Sequence, residues 1–252
     1  MFGFIKNWRH NRIIRRSWVT DAQWARAFSR LPLLDRLTEE ERLRLRRLVM
    51  LFLHKKSFSG THGLVVNEEM ALVIALQACL LVLNMDIDCY DGWSEIIVYP
   101  GGFAPQRTVT DAYGVVHHAG DALSGEAWQR GPVVLSWDAT ANAGALDGDN
   151  LVIHEFAHKL DMLTGSANGF PPIHAEMDGA EWAHTFTTAF EDFQAKARAG
   201  NEADINTYGA SSPAEFIAVI SEEFFERPLL VQARYPQVYA LLRQYYRQDP
   251  RA

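Results

Sequence analysis

Two cysteines in 252 residues, Cys79 and Cys89, are too few for a disulfide-built scaffold. Neither lies at zinc-finger spacing from a His or a second Cys, and two isolated thiols fit a reducing compartment. The opening Met1–Arg9 lacks the apolar stretch and small-residue cleavage site of a secretory signal. Long apolar runs are missing too. The most apolar segment, Ala71–Leu83, is too short to cross a bilayer and contains Gln77. Internal repeats and low-complexity tracts are absent, which excludes solenoids and arrays. These absences lead to the expectation of a soluble, cytoplasmic protein without a membrane partner.

Net charge is −7, unevenly spread. The first 50 residues carry 12 Lys and Arg against 5 acidic residues, while the remainder is strongly acidic. A basic start can meet an anionic partner, but an Arg-rich solvated helix explains it as well. The acidic remainder argues against direct nucleic-acid binding by the whole chain.

The first third reads as helical. Thr20-Asp21 starts a helix through Phe28, and the capping box Thr38-Glu39-Glu40-Glu41 opens another towards His54. Asn67 caps a third, from Glu68 to about Leu83, apolar nearly all round and so buried. Ser57–Gly63 reads as the loop between. From Asp91 the character changes. Glu95–Tyr99 and Val133–Trp137 read as strands, with one or two more between Gln106 and Val116 around Tyr113-Gly114. Ala139–Asn150 reads as a loop, Thr164–Gly179 as a long loop near the site, Glu181–Ala199 as a helix and about Val238–Arg247 as the last one. The fold class expected is α+β: mostly helical, with a small sheet. An N-terminal helical region, 1–90, precedes a catalytic domain, 91–252, and the two can form one unit.

The strongest motif is His154-Glu155-Phe156-Ala157-His158. Two His four apart share one helix face, so their imidazoles can converge on Zn²⁺, and the Glu between them can serve as general base for a water. Asn150 or Asp149 can cap this helix and Gly165 can end it. A Gly and a third His at the close spacing of one zinc class are replaced by Asp161 and Thr164, which excludes that class. A His2Glu site remains. Ser212 as N-cap, Pro213 at the first position and Pro228 as stop define a second helix. Its Glu215 is either a ligand or the capping-box carboxylate of Ser212, and Glu222, two turns on, is the reserve ligand. Asp161 is read as an acceptor for a ligating imidazole. Val133–Trp137 is the candidate sheet edge for an extended substrate. His117 and His118 could line the cleft, whereas His10, His54, His62, His174 and His184 have no ligand spacing.

The zinc-helix motif through Asp161, together with Tyr208-Gly209, Pro213-Ala214-Glu215-Phe216, Gly131–Trp137 and the N-terminal Phe2-Gly3-Phe4, resembles the Mlc titration factor A family. The resemblance implies a zincin-like fold similar to that of gluzincins such as the catalytic domain of anthrax lethal factor. It implies Zn²⁺ held by His154, His158 and Glu215, with Glu155 as general base and Tyr208 stabilising the transition state. It further implies aminopeptidase-type activity on a peptide substrate. Binding to the glucose-responsive repressor Mlc, relieving repression of sugar uptake genes, is also implied. A non-proteolytic protein that sequesters a transcription regulator is the alternative.

Overall fold

Caps and apolar spacing set most helices in this computed structural model, which describes residues 2–15, 18–102, 107–110, 116–119, 125–127, 131–142, 145–202 and 204–251. Helix α1 spans Phe2–Ile14 and α2 spans Asp21–Ser29, the latter held by a capping box between Thr20 and Gln23. In α3 (Glu39–Lys55) the Thr38 hydroxyl accepts from the Glu41 amide while Glu41 accepts from Thr38 N at 2.9 Å. Strand β1 (Ser57–Gly60) leads to α4 (Glu68–Leu81), capped by Asn67. Then come β2 (Glu95–Tyr99), β3 (Arg107–Thr110), β4 (Val116–Ala119), β5 (Gly125–Ala127) and β6 (Val133–Ser136). Six further helices follow: α5 (Trp137–Asn142), α6 (Leu151–Asp161), α7 (Gly179–Arg198), α8 (Pro213–Glu226), α9 (Pro228–Arg234) and α10 (Pro236–Tyr246). The architecture is the mostly helical α+β type that the sequence indicates.

The main sheet has the order β1-β2-β6-β5, with the first three strands parallel and β5 antiparallel to β6. Strands β3 and β4 pair antiparallel in a separate two-stranded sheet. The turn expected at Tyr113-Gly114 lies outside the described residues, and of His117 and His118 only the strand backbone is described. β1 precedes residue 91 and pairs with β2 beyond it, and one apolar cluster draws residues from both segments.

Three expectations change. Ser57–Gly63 is not all loop, because β1 occupies its first half; a short polar strand gains its hydrogen bonds from distant β2 and leaves no local signature. Ala139–Asn150 is not all loop, since α5 runs to Asn142. Val133–Trp137 is not the sheet edge. β6 is buried along its length between β2 and β5, so among the described residues β5 is the edge on that side, and it packs against α6.

Helix α4 sits at the centre, with every residue from Leu72 to Leu81 nearly inaccessible to solvent. It packs on α2, α3 and α6. Phe156 anchors α6 in this core, with ring centroids 5.7 Å from Phe52 and 5.2 Å from Tyr90. Full burial of a side chain of this size contributes about 1.5–3 kcal/mol. Lys159 ties the same helix to the sheet by donating to the Gly131 carbonyl at 2.9 Å. Among the described residues, no helix is long and apolar enough to cross a membrane.

Candidate metal centre

Helix α6 begins at Asn150, whose side chain accepts from the Ile153 amide at 3.0 Å. Asn150 is fully buried, and every polar group on its side chain is used. Its Nδ2 donates to Gln77 Oε1 and to Glu226 Oε1, both at 2.8 Å. Its backbone N–H donates to Glu222 Oε2 at 2.5 Å. The polar Gln77 inside the apolar α4 thus has a purpose: it holds the start of the motif helix. Glu226 Oε2 accepts from Gly148 N at 3.0 Å, so α8 fixes the approach to α6 as well.

From this fixed start, His154 and His158 project one turn apart towards α8. Their Nε2 atoms lie 3.2 Å apart. Glu215 Oε2 lies 3.0 Å from His154 Nε2 and 3.2 Å from His158 Nε2. The three side chains form a group able to hold a metal ion, with ligand atoms all within 4.8 Å of one another. Glu215 resolves its two readings in an instructive way. Its backbone amide donates to Ser212 Oγ at 3.1 Å, as in a cap, while its carboxylate meets the imidazoles instead of returning to the cap residue.

Glu222 is not in this triangle. Its Oε1 lies 2.8 Å from His154 Nδ1. A carboxylate accepts, so Nδ1 donates its N–H to Glu222, which leaves Nε2 as the nitrogen available to a cation. Asp161, read from sequence as the imidazole acceptor, does other work. Its Oδ2 accepts from the amides of Asn168 and Gly169 at 2.8 and 2.7 Å, and no hydrogen bond joins it to either His. Asp161 lies on α6 with the imidazoles, whereas Glu222 reaches His154 from α8, a meeting that spacing within one helix does not encode.

The donor set fits a zinc ion. Nitrogen and oxygen ligands at about 2.0–2.1 Å in a tetrahedral shell stand about 3.3 Å apart, close to the 3.0–3.2 Å spacing here. Without a cation or protons, three lone-pair donors at this spacing repel one another. Glu155 adds a second sign. It is 4% exposed, and among the described residues its Oε2 has no hydrogen-bond partner. A buried carboxylate oxygen left free costs about 1–3 kcal/mol or more, which is tolerated where it acts on a ligand.

The charges are strongly coupled. Burial raises the Glu155 carboxyl to about 8, with the nearby His154 charge pulling the other way. Burial also pushes Glu215 up, but hydrogen bonds from both imidazoles outweigh it and leave that carboxyl at about 2. Burial lowers His154, and the Glu215 and Glu222 carboxylates outweigh it, raising the imidazole to about 10. The Glu215 carboxylate thus holds a proton on His154 at the centre of the group, and a bound cation would replace that proton.

Tyr208 stands at the mouth, in a 3₁₀ turn spanning Thr207–Ala210, and is 50% exposed. Its ring centroid is 6.1 Å from that of His154. Burial and the charges of Glu215 and Glu155 push its hydroxyl pKa up, so the group is a donor at neutral pH. Sequence reasoning named the ligand group, Glu155 and Tyr208. It missed the support formed by Gln77, Glu226 and Asn150 beyond its capping role. A polar residue inside an otherwise apolar helix, as Gln77 is, was the available signal.

The sequence profile of a family described as Glucose-regulated metallo-peptidase M90 matches residues 5–247. A relative from Serratia proteamaculans (strain 568), named Mlc titration factor A, is 41% identical over 236 residues, covering 92% of this chain and 89% of the relative. A relative of the same name from Yersinia pestis (strain Pestoides F) is 40% identical over 234 residues, covering 92% and 86%.

Proposed function

The chain belongs to the Glucose-regulated metallo-peptidase M90 family, and from that premise we propose that it is a zinc-dependent, cytoplasmic peptidase of aminopeptidase type. His154, His158 and Glu215 are its metal ligands, Glu155 its general base and Tyr208 its oxyanion donor. The observation that carries the reading is the convergence of two imidazole nitrogens and one carboxylate oxygen beside a buried carboxylate with a free oxygen. The aminopeptidase preference follows from the resemblance to the Mlc titration factor A family.

When bound, zinc supplies a Lewis acid that acidifies water and polarises a carbonyl. Glu155 takes the proton of the attacking water on its free Oε2 and returns it to the leaving amine. Burial suits it to the first half of this exchange, because raising the carboxyl makes its carboxylate a stronger base towards the attacking water. Tyr208 donates its hydroxyl proton to the carbonyl oxygen as that atom gains charge. Glu222 holds His154 in the ligating tautomer. An extended peptide can add along β5, the edge strand among the described residues, which packs against α6.

The test is metal removal. Hydrolysis of aminoacyl and short peptide chromogenic substrates should vanish on chelation and return with one equivalent of zinc. Turnover that persists in metal-free protein sinks the proposal. A second reading rests on the name of the relatives, Mlc titration factor A: the chain binds the repressor Mlc. Purified Glu155→Gln protein that binds Mlc and leaves it intact supports titration; absence of binding by the wild type counts against it.

A further inference from the structure

Beside the N-terminal turn of α8 lies a second feature, a cavity of about 160 Å³. Its base is formed by Trp182, Phe186 and Phe216, all buried, and Phe170 and Phe190 stand at its sides, half-buried to exposed. Trp182 and Phe186 stack at 4.2 Å, and Phe190 meets Phe216 at 5.8 Å, so the apolar lining is held by its own ring contacts. Among the described residues no charged side chain lines it, and its polar side chains are Asn168 and Thr187. The indole N–H that could have served a polar ligand already donates to the Gly169 carbonyl at 3.2 Å.

Two links bind this cavity to the metal centre. Pro213 on its rim is two residues before Glu215, a backbone span of at most about 7 Å. Gly169, also in the lining, is held through its amide by Asp161, three residues after His158. Gly169 sits at φ +80°, and a Cβ there would come within 2.8 Å of the Pro213 carbonyl oxygen. The close approach of loop to α8 therefore requires glycine, and the cavity wall is fixed to both ligand-bearing helices.

An apolar cavity of about 150 Å³ is known to hold one benzene molecule, so this space matches a phenyl ring or a leucine side chain. We propose that the cavity receives a phenyl-sized apolar side chain of a peptide lying across the metal centre, and so sets the side-chain preference of the peptidase. This rests on the peptidase reading above, and the experiment separates the two.

Calorimetry is run on zinc-loaded Glu155→Gln protein with Ala-Ala-Ala and the three tripeptides carrying a single Phe. Phe at one position should tighten binding at least about tenfold, the usual return for burying apolar substrate groups. Adding Ala183→Phe, at an exposed rim position on α7, should fill the mouth and cancel that gain while leaving Ala-Ala-Ala binding unchanged. Phe190→Ala should enlarge the space and move the preference towards Trp. No gain from Phe at any position, or a gain that survives Ala183→Phe, overturns the proposal. Wild-type hydrolysis of the same peptides is measured in parallel. Phe-selective binding without hydrolysis would remove the peptidase reading and leave the cavity as a peptide-binding subsite.

Discussion

Replacing Glu222 should weaken metal binding although Glu222 is not among the three convergent ligands. Its Oε1 accepts from His154 Nδ1 at 2.8 Å and its Oε2 accepts from the Asn150 amide at 2.5 Å. Losing a carboxylate behind a ligating imidazole typically costs 10–100-fold in metal affinity, about 1.4–2.7 kcal/mol. Glu222→Ala also leaves the buried Asn150 amide unpaired, a further cost of about 1–3 kcal/mol in stability. Glu222→Gln is the sharper variant. One amide oxygen cannot accept from both groups, so the NH₂ must face either the Asn150 N–H or the imidazole. If it faces the imidazole, Nδ1 becomes the acceptor and the proton moves to Nε2, where the ligand lone pair is needed. Both variants are therefore expected to lose zinc 10–100-fold more readily in a chelator competition. Glu223→Ala is the control: Glu223 is buried and paired with Arg227 across one helical turn, so it should lose stability without changing zinc affinity. A Glu222→Ala protein that binds zinc within about twofold of wild type, against the cited 10–100-fold, refutes the reasoning.

Tyr208→Phe should lower kcat by about 10²–10³-fold, the usual loss of one oxyanion donor. Its half-exposed ring leaves the fold and metal content unchanged, so steady-state kinetics with zinc analysis checks it. Glu226 should make stability depend on pH. Burial raises its carboxyl from 4.5 to about 7, so between those values the folded protein keeps a proton that the unfolded chain has lost. Its contribution is full below pH 4.5 and disappears as pH rises through 7. The loss is at most about 3 kcal/mol, and urea unfolding of wild type and Glu226→Gln at either end of the window should show a shallower slope in Glu226→Gln, where the raised Glu155 carboxyl still titrates. Asp161→Ala should free the Asn168 and Gly169 amides and loosen that loop, read as faster hydrogen exchange there; unchanged exchange contradicts the role assigned.

What could be read in the sequence was local. The motif helix is set by an N-cap and a repeat of apolar residues, and α8 lies between Ser212-Pro213 and Pro228, so both starts and the end of α8 appeared within a residue or two, while α6 ends at Asp161, short of the Gly165 stop, with a 3₁₀ turn over Met162–Thr164 between. Glu215 stayed double in sequence because a capping box is also a local pattern; only the position of α6 beside α8 sends its carboxylate to the imidazoles. The readings that changed were non-local. β1 is short, polar and defined by its pairing with β2. The run Val133–Leu135 reads the same as edge or interior, and the decision lies in β5, a three-residue strand with no apolar alternation. Asp161 and Glu222 each satisfied a helix-face rule, yet the partner of His154 depends on a distance between helices that no spacing encodes.

The most direct measurement is zinc stoichiometry together with peptide turnover for wild type and Glu155→Gln side by side. The account expects about one zinc per chain in both proteins and turnover in wild type alone, reduced in the variant by at least about 10²-fold. Comparable turnover in Glu155→Gln, or wild-type turnover without bound metal, would contradict it.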